Sequence, residues 1–139
     1  MVDRETIRRR LALLQDALAD LRRYRTRFDA AALAADRDAQ HMVLHALYIA
    51  AQAAIDIALH AAADAEQPNA ATYQQAFARL ADAGRLDREL ATRMMGWAGL
   101  RNVLAHHYAT IDYGRIAATL ANELPDLERF AAAAATWAG

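Results

Sequence analysis

Apolar positions recur at helical spacing along almost the whole of this 139-residue chain. Ile7, Leu11, Leu14, Leu18 and Leu21 step by three and four, which predicts a first helix from Asp3 to about Phe28. Asp3 or Thr6 stands where its cap belongs. Asp29 to Ala35 reads as a short helix or turn. From Asp36 the longest helix is expected to reach about Ala65, with Leu44, Leu47, Tyr48, Ala51, Ile55, Ala58 and Leu59 facing a core. Glu66-Gln67-Pro68-Asn69 breaks the chain. Thr72 then caps a helix from Tyr73 to about Ala83, with Tyr73, Phe77 and Leu80 inward and Gly84 placed as its C-terminal stop. Asp87 caps the next helix, whose stripe is Leu90, Met94, Trp97, Leu100 and Leu104 and whose end falls between His106 and Ala109. The chain restarts at Asp112-Tyr113-Gly114, and a last helix runs through Ile116, Leu120, Leu124, Leu127 and Phe130. Pro125 must kink or divide it. The pattern predicts one domain over residues 1–139, an all-α antiparallel bundle of about five helices joined by short connections.

One helix face departs from the apolar pattern. His41, His45, Gln52, Asp56 and His60 step by four, seven, four and four, so they form a polar line on the longest helix. Such a line marks a solvated groove, a partner surface or a site. Its His and Asp side chains bring metal binding to mind, but a metal site draws three or four converging ligands, usually from more than one helix. No metal is expected. The line is better read as facing the next feature, with Asp56 as the partner of an arginine there.

That feature is the end of the Asp87 helix, where Arg101, Asn102, His106, His107 and Tyr108 crowd into eight positions. At about 100° per residue, Asn102 and His106 stack, Arg101 lies one step round, and Tyr108 returns beneath Arg101 if the helix persists. An imidazole can move protons near neutrality. A guanidinium can grip a phosphate through two N–H groups and stabilise charge growing on it. Together they suit cleavage of RNA without a metal. The imidazole takes the proton of the ribose 2′-hydroxyl or supplies one to the leaving 5′-oxygen, and the guanidinium steadies the phosphorane. The reaction wants both an acid and a base, and a two-fold dimer would supply a second copy. The same residues admit a structural reading: Arg101 paired with an acid, His106 as a cation at the negative end of the helix, and Tyr108 packed with a wet tip. Gly96 and Gly99 on this helix cost roughly 1 kcal/mol each relative to Ala, and close approach of another backbone, such as a second subunit, would explain them.

Composition supports the fold and narrows the partners. Hydrophobic residues make up 56% but aromatic ones only 7%, so the core must be built from small aliphatic groups. Abundant Ala and Leu with few β-branched residues favour helix. The absence of cysteine excludes disulfides and thiolate metal sites and suits the cytoplasm. The charged start leads into no apolar segment of a secretory signal. No apolar run approaches the roughly 20 residues of a membrane helix, so no membrane partner is expected. A net charge of -1 means any RNA contact must come from a local cluster. All 16 basic residues are Arg. Arg4, Arg8, Arg9, Arg10, Arg22, Arg23, Arg25 and Arg27 fall on the first helix, where a solvated face is the first reading and an RNA-contacting face the second. Trp97 and Trp137 read as packing residues. A phosphate loop, a dinucleotide fingerprint and a Ser or Cys nucleophile arrangement are all missing, so no cofactor is expected.

Arg101-Asn102-Val103-Leu104-Ala105-His106-His107-Tyr108 resembles the Arg-x4-His-x-Tyr motif of the HepT-like toxins of the HEPN superfamily. Asp36-Arg37-Asp38 with Ala54-Ile55-Asp56-Ile57, the stretch Thr72-Tyr73 to Gly84, Met94 to Leu100 and Leu124-Pro125-Asp126-Leu127 are similar to that family's segments in the same order. The resemblance covers nearly the whole chain and is weakest before about residue 30. It implies a homodimeric helical ribonuclease toxin acting on RNA such as tRNA or mRNA, with motif copies meeting between subunits. It also implies an MNT-family nucleotidyltransferase antitoxin that silences the toxin by AMPylation. By position, Arg101 and His106 would be catalytic, Asn102 and Asp56 supporting, and Tyr108 the AMP acceptor. His106 is preferred to His107 because it stacks with Asn102 and keeps the x-Tyr spacing. The alternative is a catalytically silent HEPN module that dimerises or binds nucleotide for a nucleotidyltransferase.

Overall fold

The computed structural model describes residues 3–63 and 72–139, so the expected break at Glu66-Gln67-Pro68-Asn69 lies outside the described residues. Among these residues the regular structure is all helical: α1 (Arg4–Arg27), α2 (Ala30–Ala35), α3 (Arg37–Ala63), α4 (Tyr73–Asp82), α5 (Arg88–His106), α6 (Tyr113–Asn122) and α7 (Leu124–Trp137). A 3-10 turn, Tyr108–Thr110, joins α5 to α6. The all-α expectation holds. The described helices number seven rather than about five because Ala30–Ala35 is a helix, capped by Asp29, and because Pro125 divides the last helix instead of kinking it. Pro125 sits in the first turn of α7, where its missing N–H is no loss.

Side-chain caps set most of the helix starts. Asp3 accepts from the Thr6 amide at 3.0 Å, which makes Asp3 and not Thr6 the cap of α1. Asp29 accepts from Ala32 at 2.8 Å, Asp36 from Asp38 at 2.9 Å, Thr72 from Gln75 at 3.2 Å and Asp87 from Leu90 at 3.3 Å. Each bond satisfies an amide that the helix itself leaves open. Gly84 ends α4 with φ 74°, a left-handed value that suits glycine. Asp112 opens α6 with bonds from Gly114 at 3.0 Å and Arg115 at 3.3 Å. Asp112→Ala is expected to cost about 1 kcal/mol and to lower the melting temperature by a few degrees in a thermal unfolding scan.

Helix α3 is the centre of the bundle and packs on α1, α2, α4, α5 and α7. Its buried residues include Val43, Leu47, Ala50, Ala54, Ile57 and Ala61, so it is covered from several sides. By length and composition α3 is apolar enough to cross a membrane, so the expectation that no apolar stretch approaches that length does not hold. That apolarity is used inside the bundle, where 61% of the stretch is buried. Small alanines let its neighbours approach closely, which is how a core poor in aromatics fills its space. At the far side Phe130 packs edge-on against Phe77 at 5.6 Å and against Trp137 at 5.8 Å. Trp97 is buried and Trp137 is half-buried against the core, so both tryptophans pack as expected.

Candidate functional site

Arg101 stands half-buried on α5 where that helix crosses α3. Its Nε donates to the Gln52 side-chain oxygen on α3 at 2.7 Å. One terminal nitrogen donates to the Asn102 side-chain oxygen at 3.2 Å. The guanidinium lies 5.1 Å from the centre of the Tyr73 ring on α4 and 5.9 Å from that of Tyr48 on α3. Four side chains from three helices therefore hold one arginine. Two amides fix its plane and two ring faces attract its charge. Among the described residues no carboxylate pairs with Arg101. Its fork keeps three further N–H donors beyond those given to Gln52 and Asn102.

Asp56 is not the direct partner of Arg101 expected from the sequence. Its carboxylate accepts from the Gln52 side-chain nitrogen at 2.9 Å and lies 3.7 Å from Arg10 Nε on α1. Gln52, whose side chain reads in the sequence only as one member of a polar line, stands between the two. Its amide accepts from Arg101 and donates to Asp56, so the relay Arg10–Asp56–Gln52–Arg101 ties α1, α3 and α5 together. The physical reason is position. Asp56 lies one turn further along α3 than Gln52, about 6 Å by helix rise, and Gln52 is the residue level with the guanidinium.

His106 is the last residue of α5 and is exposed, and His107 is the C-cap. The His107 amide donates to the Val103 carbonyl at 2.8 Å, and its own carbonyl accepts from the Thr110 amide at 3.1 Å. The helix thus stops before Tyr108, which sits in the 3-10 turn, half exposed at 50%. The phenol does not come back beneath Arg101 along a continuing helix. It lines a groove of about 380 Å³ between α3 and the end of α5, with His41, His45 and Tyr48 on the opposite wall and Leu104 and Ala105 on its own. Asn102 gives its oxygen to Arg101, so its described hydrogen bond serves the guanidinium and not His106.

A family comparison bears on this arrangement. The HepT-like ribonuclease model matches residues 14–134, which takes in every side chain of the cluster except Arg10. The chain belongs to the HepT-like ribonuclease family.

Solved structures agree on the HEPN fold. A tri-AMPylated Shewanella oneidensis HEPN toxin in complex with its MNT antitoxin superposes with a TM-score of 0.84 at 21% identity, over 98% of this chain and 99% of that one. A toxin–antitoxin structure with AMP-PNP gives 0.82 at 21% identity, over 96% and 99%. A cytosolic protein of unknown function from Bacillus subtilis, YutE, gives 0.82 at 14% identity, over 98% and 90%. No curated protein sequence matches the chain.

In this HepT-like chain the histidine line of α3 does not act as one unit. His41 and His45 face Tyr108 across the groove. His60 lies at the other end, where it adds a small share to the lowering of the Asp3 carboxyl, which the Thr6 hydroxyl and amide chiefly hold below its usual range. From His41 to His60 the helix rises roughly 28 Å, too far for shared ligation. Among the described residues no three His, Asp or Glu side chains gather as a metal-holding group. Among the described residues a Cβ added at Gly96 or Gly99 would meet nothing within 4 Å, so none of them makes the close approach that the two glycines suggest. On α1, Arg8 and Arg9 pair with Glu5, Arg22 with Glu128 and Arg23 with Asp20, all at the surface, as a solvated face does.

Proposed function

We propose that this HepT-like chain is the ribonuclease toxin of a toxin–antitoxin pair. The observation that carries the reading is the Arg101 guanidinium, positioned by Gln52, Asn102, Tyr48 and Tyr73 with no carboxylate on it among the described residues, five residues before an exposed His106. A structural arginine is normally neutralised by an acid. This one is oriented by neutral amides and keeps its charge for an incoming anion. In the reaction the ribose 2′-oxygen attacks phosphorus and loses its proton to an imidazole. The negative charge grows on the phosphoryl oxygens beside Arg101, and the 5′-oxygen leaves with a proton from a second imidazole. The products are a 2′,3′-cyclic phosphate and a 5′-hydroxyl. His106 of one subunit and the equivalent copy in a two-fold partner supply base and acid, so the active form is a homodimer and the chemistry needs no metal. The bare backbone at Gly96 and Gly99 suits such a contact.

The same reading makes an MNT-family nucleotidyltransferase the cytoplasmic partner and Tyr108 the acceptor of AMP. An exposed phenol outside the helix is open to a transferase. A bulky anion there would repel an RNA phosphate from Arg101. The test is the intact mass of the protein after co-expression with its neighbouring nucleotidyltransferase, mapped by peptide. AMP is expected on Tyr108 and absent from Tyr108→Phe. AMP on another residue, or on none, would sink the regulatory part. Inducible expression separates the enzyme from a silent binding module: equal growth of cells carrying wild type and Arg101→Ala would favour the module.

Gln52→Leu gives a milder check on the positioning of Arg101. It removes the amide that holds Nε and leaves the charge in place. A loss of roughly tenfold in kcat is expected with little change in KM, the worth of about one charge-assisted hydrogen bond. Initial-rate kinetics on an RNA substrate would read it.

A further inference from the structure

We propose that the groove between α3 and the end of α5 is a seat for one nucleotide unit, its base lying against Tyr48 and its phosphate held by His41 and His45. The inference rests on the ribonuclease reading and deepens it. The groove holds about 380 Å³, within the range of small-molecule sites. Its lining divides by chemistry. Leu44 and Tyr48 on the α3 wall and Leu104 on the α5 wall are apolar surfaces suited to the two faces of a base, and His41 and His45, one turn apart, supply imidazole N–H donors suited to phosphate oxygens. Among the described residues neither histidine has a hydrogen-bond or ion-pair partner in the chain, so these donors are available.

Tyr48 makes the groove part of the site. One contact of its ring is the Arg101 guanidinium at 5.9 Å, and another is the groove. A nucleotide seated against Tyr48 thus has Arg101 just beyond the ring, where the next phosphate of a strand would arrive. Tyr108 lines the opposite wall, so a nucleotidyl group joined to its phenol oxygen reaches the same space. The shared chemistry is a nucleoside monophosphate, and it has two sources: a unit of the RNA strand, or the group carried by Tyr108. The α3 line that the sequence shows as unexplained polarity gains a use for its first two histidines, and Gln52 and Asp56 serve Arg101 further along.

The test is an NMR titration of the wild-type protein with adenosine 5′-monophosphate, with adenosine as the phosphate-free probe. Saturable shifts are expected at His41, His45, Tyr48, Ala105 and Tyr108. Tyr48→Leu should weaken both probes about tenfold. His41→Gln combined with His45→Gln should weaken the monophosphate alone, and because both side chains are exposed this variant stays informative if Tyr48→Leu fails to fold. Shifts confined to another surface, or affinities unchanged in the histidine variant, would overturn the seat. Protein adenylylated on Tyr108 separates the sources: loss of free monophosphate binding supports occupancy by the tethered group, and undiminished binding supports the RNA strand as occupant. The titration needs no cleavage, so a wild-type protein that shows the shifts and leaves RNA intact would refute the ribonuclease reading and retain the seat.

Discussion

Arg101→Ala is expected to lose about 10²–10³-fold in kcat for RNA cleavage while the protein remains folded. The magnitude is that of removing one positioned donor to a developing oxyanion, and the geometry says why so much rests on one side chain. Arg101 reaches the site with its plane set by Gln52 at 2.7 Å and its charge faced by two tyrosine rings, so little reorganisation remains to be done when charge appears on the substrate. Stability should change little. Arg101 is half-buried, no carboxylate among the described residues is left unpaired by its removal, and Gln52 keeps its bond to Asp56. Arg101→Lys should recover only part of the rate, because an ammonium offers no planar fork to satisfy Gln52 and a phosphate together. Cleavage kinetics with a melting curve on each variant would decide it. Wild-type rates from Arg101→Ala would remove the guanidinium from the chemistry and return Arg101 to a packing role.

How much of this is legible before folding depends on the distance over which a residue's partner is set. The helices are legible because stripes such as Ile7, Leu11, Leu14, Leu18 and Leu21 are local, and all of these residues are buried on α1. The caps are legible for the same reason: Asp87 and Asp112 bond to amides two or three residues away. Spacing and resemblance single out the motif residues as a group, of which the structure joins Arg101 to Asn102 and sets Tyr108 off the helix. What stays hidden is which residue of α3 stands level with Arg101. Spacing along α3 shows Gln52 and Asp56 on one face, and the carboxylate is the natural choice for an arginine. The depth at which α5 crosses α3 selects Gln52, and Arg10 of α1 takes Asp56. Tyr73 shows the same limit. Its place at the start of α4 reads as plain core, and only the packing of α4 beside α5 brings its ring to the guanidinium. Tyr108 depends on where α5 stops: the end expected between His106 and Ala109 holds, and its placing at His106, made by the backbone of His107, takes the phenol off the helix.

His106→Ala is expected to abolish toxicity and to lower cleavage by about 10²–10⁴-fold, the range for losing a general acid or base, while His107→Ala stays within about threefold of wild type. The two are adjacent and both exposed, so composition cannot separate them, yet the helix end gives them different work. His106 is the last residue on the α5 spiral, and its side chain leaves from a rigid element. His107 is the cap. What the turn uses of it is the backbone, whose amide closes on Val103 and whose carbonyl receives Thr110. Alanine at 107 keeps both groups and the turn with them. A homodimer that needs one imidazole as base and its copy as acid makes the contrast sharper, because one substitution at 106 removes both proton carriers at once. Growth on induction and single-turnover cleavage of RNA would read the pair together. Toxicity that survives His106→Ala and disappears with His107→Ala would move the proton transfer to the cap residue.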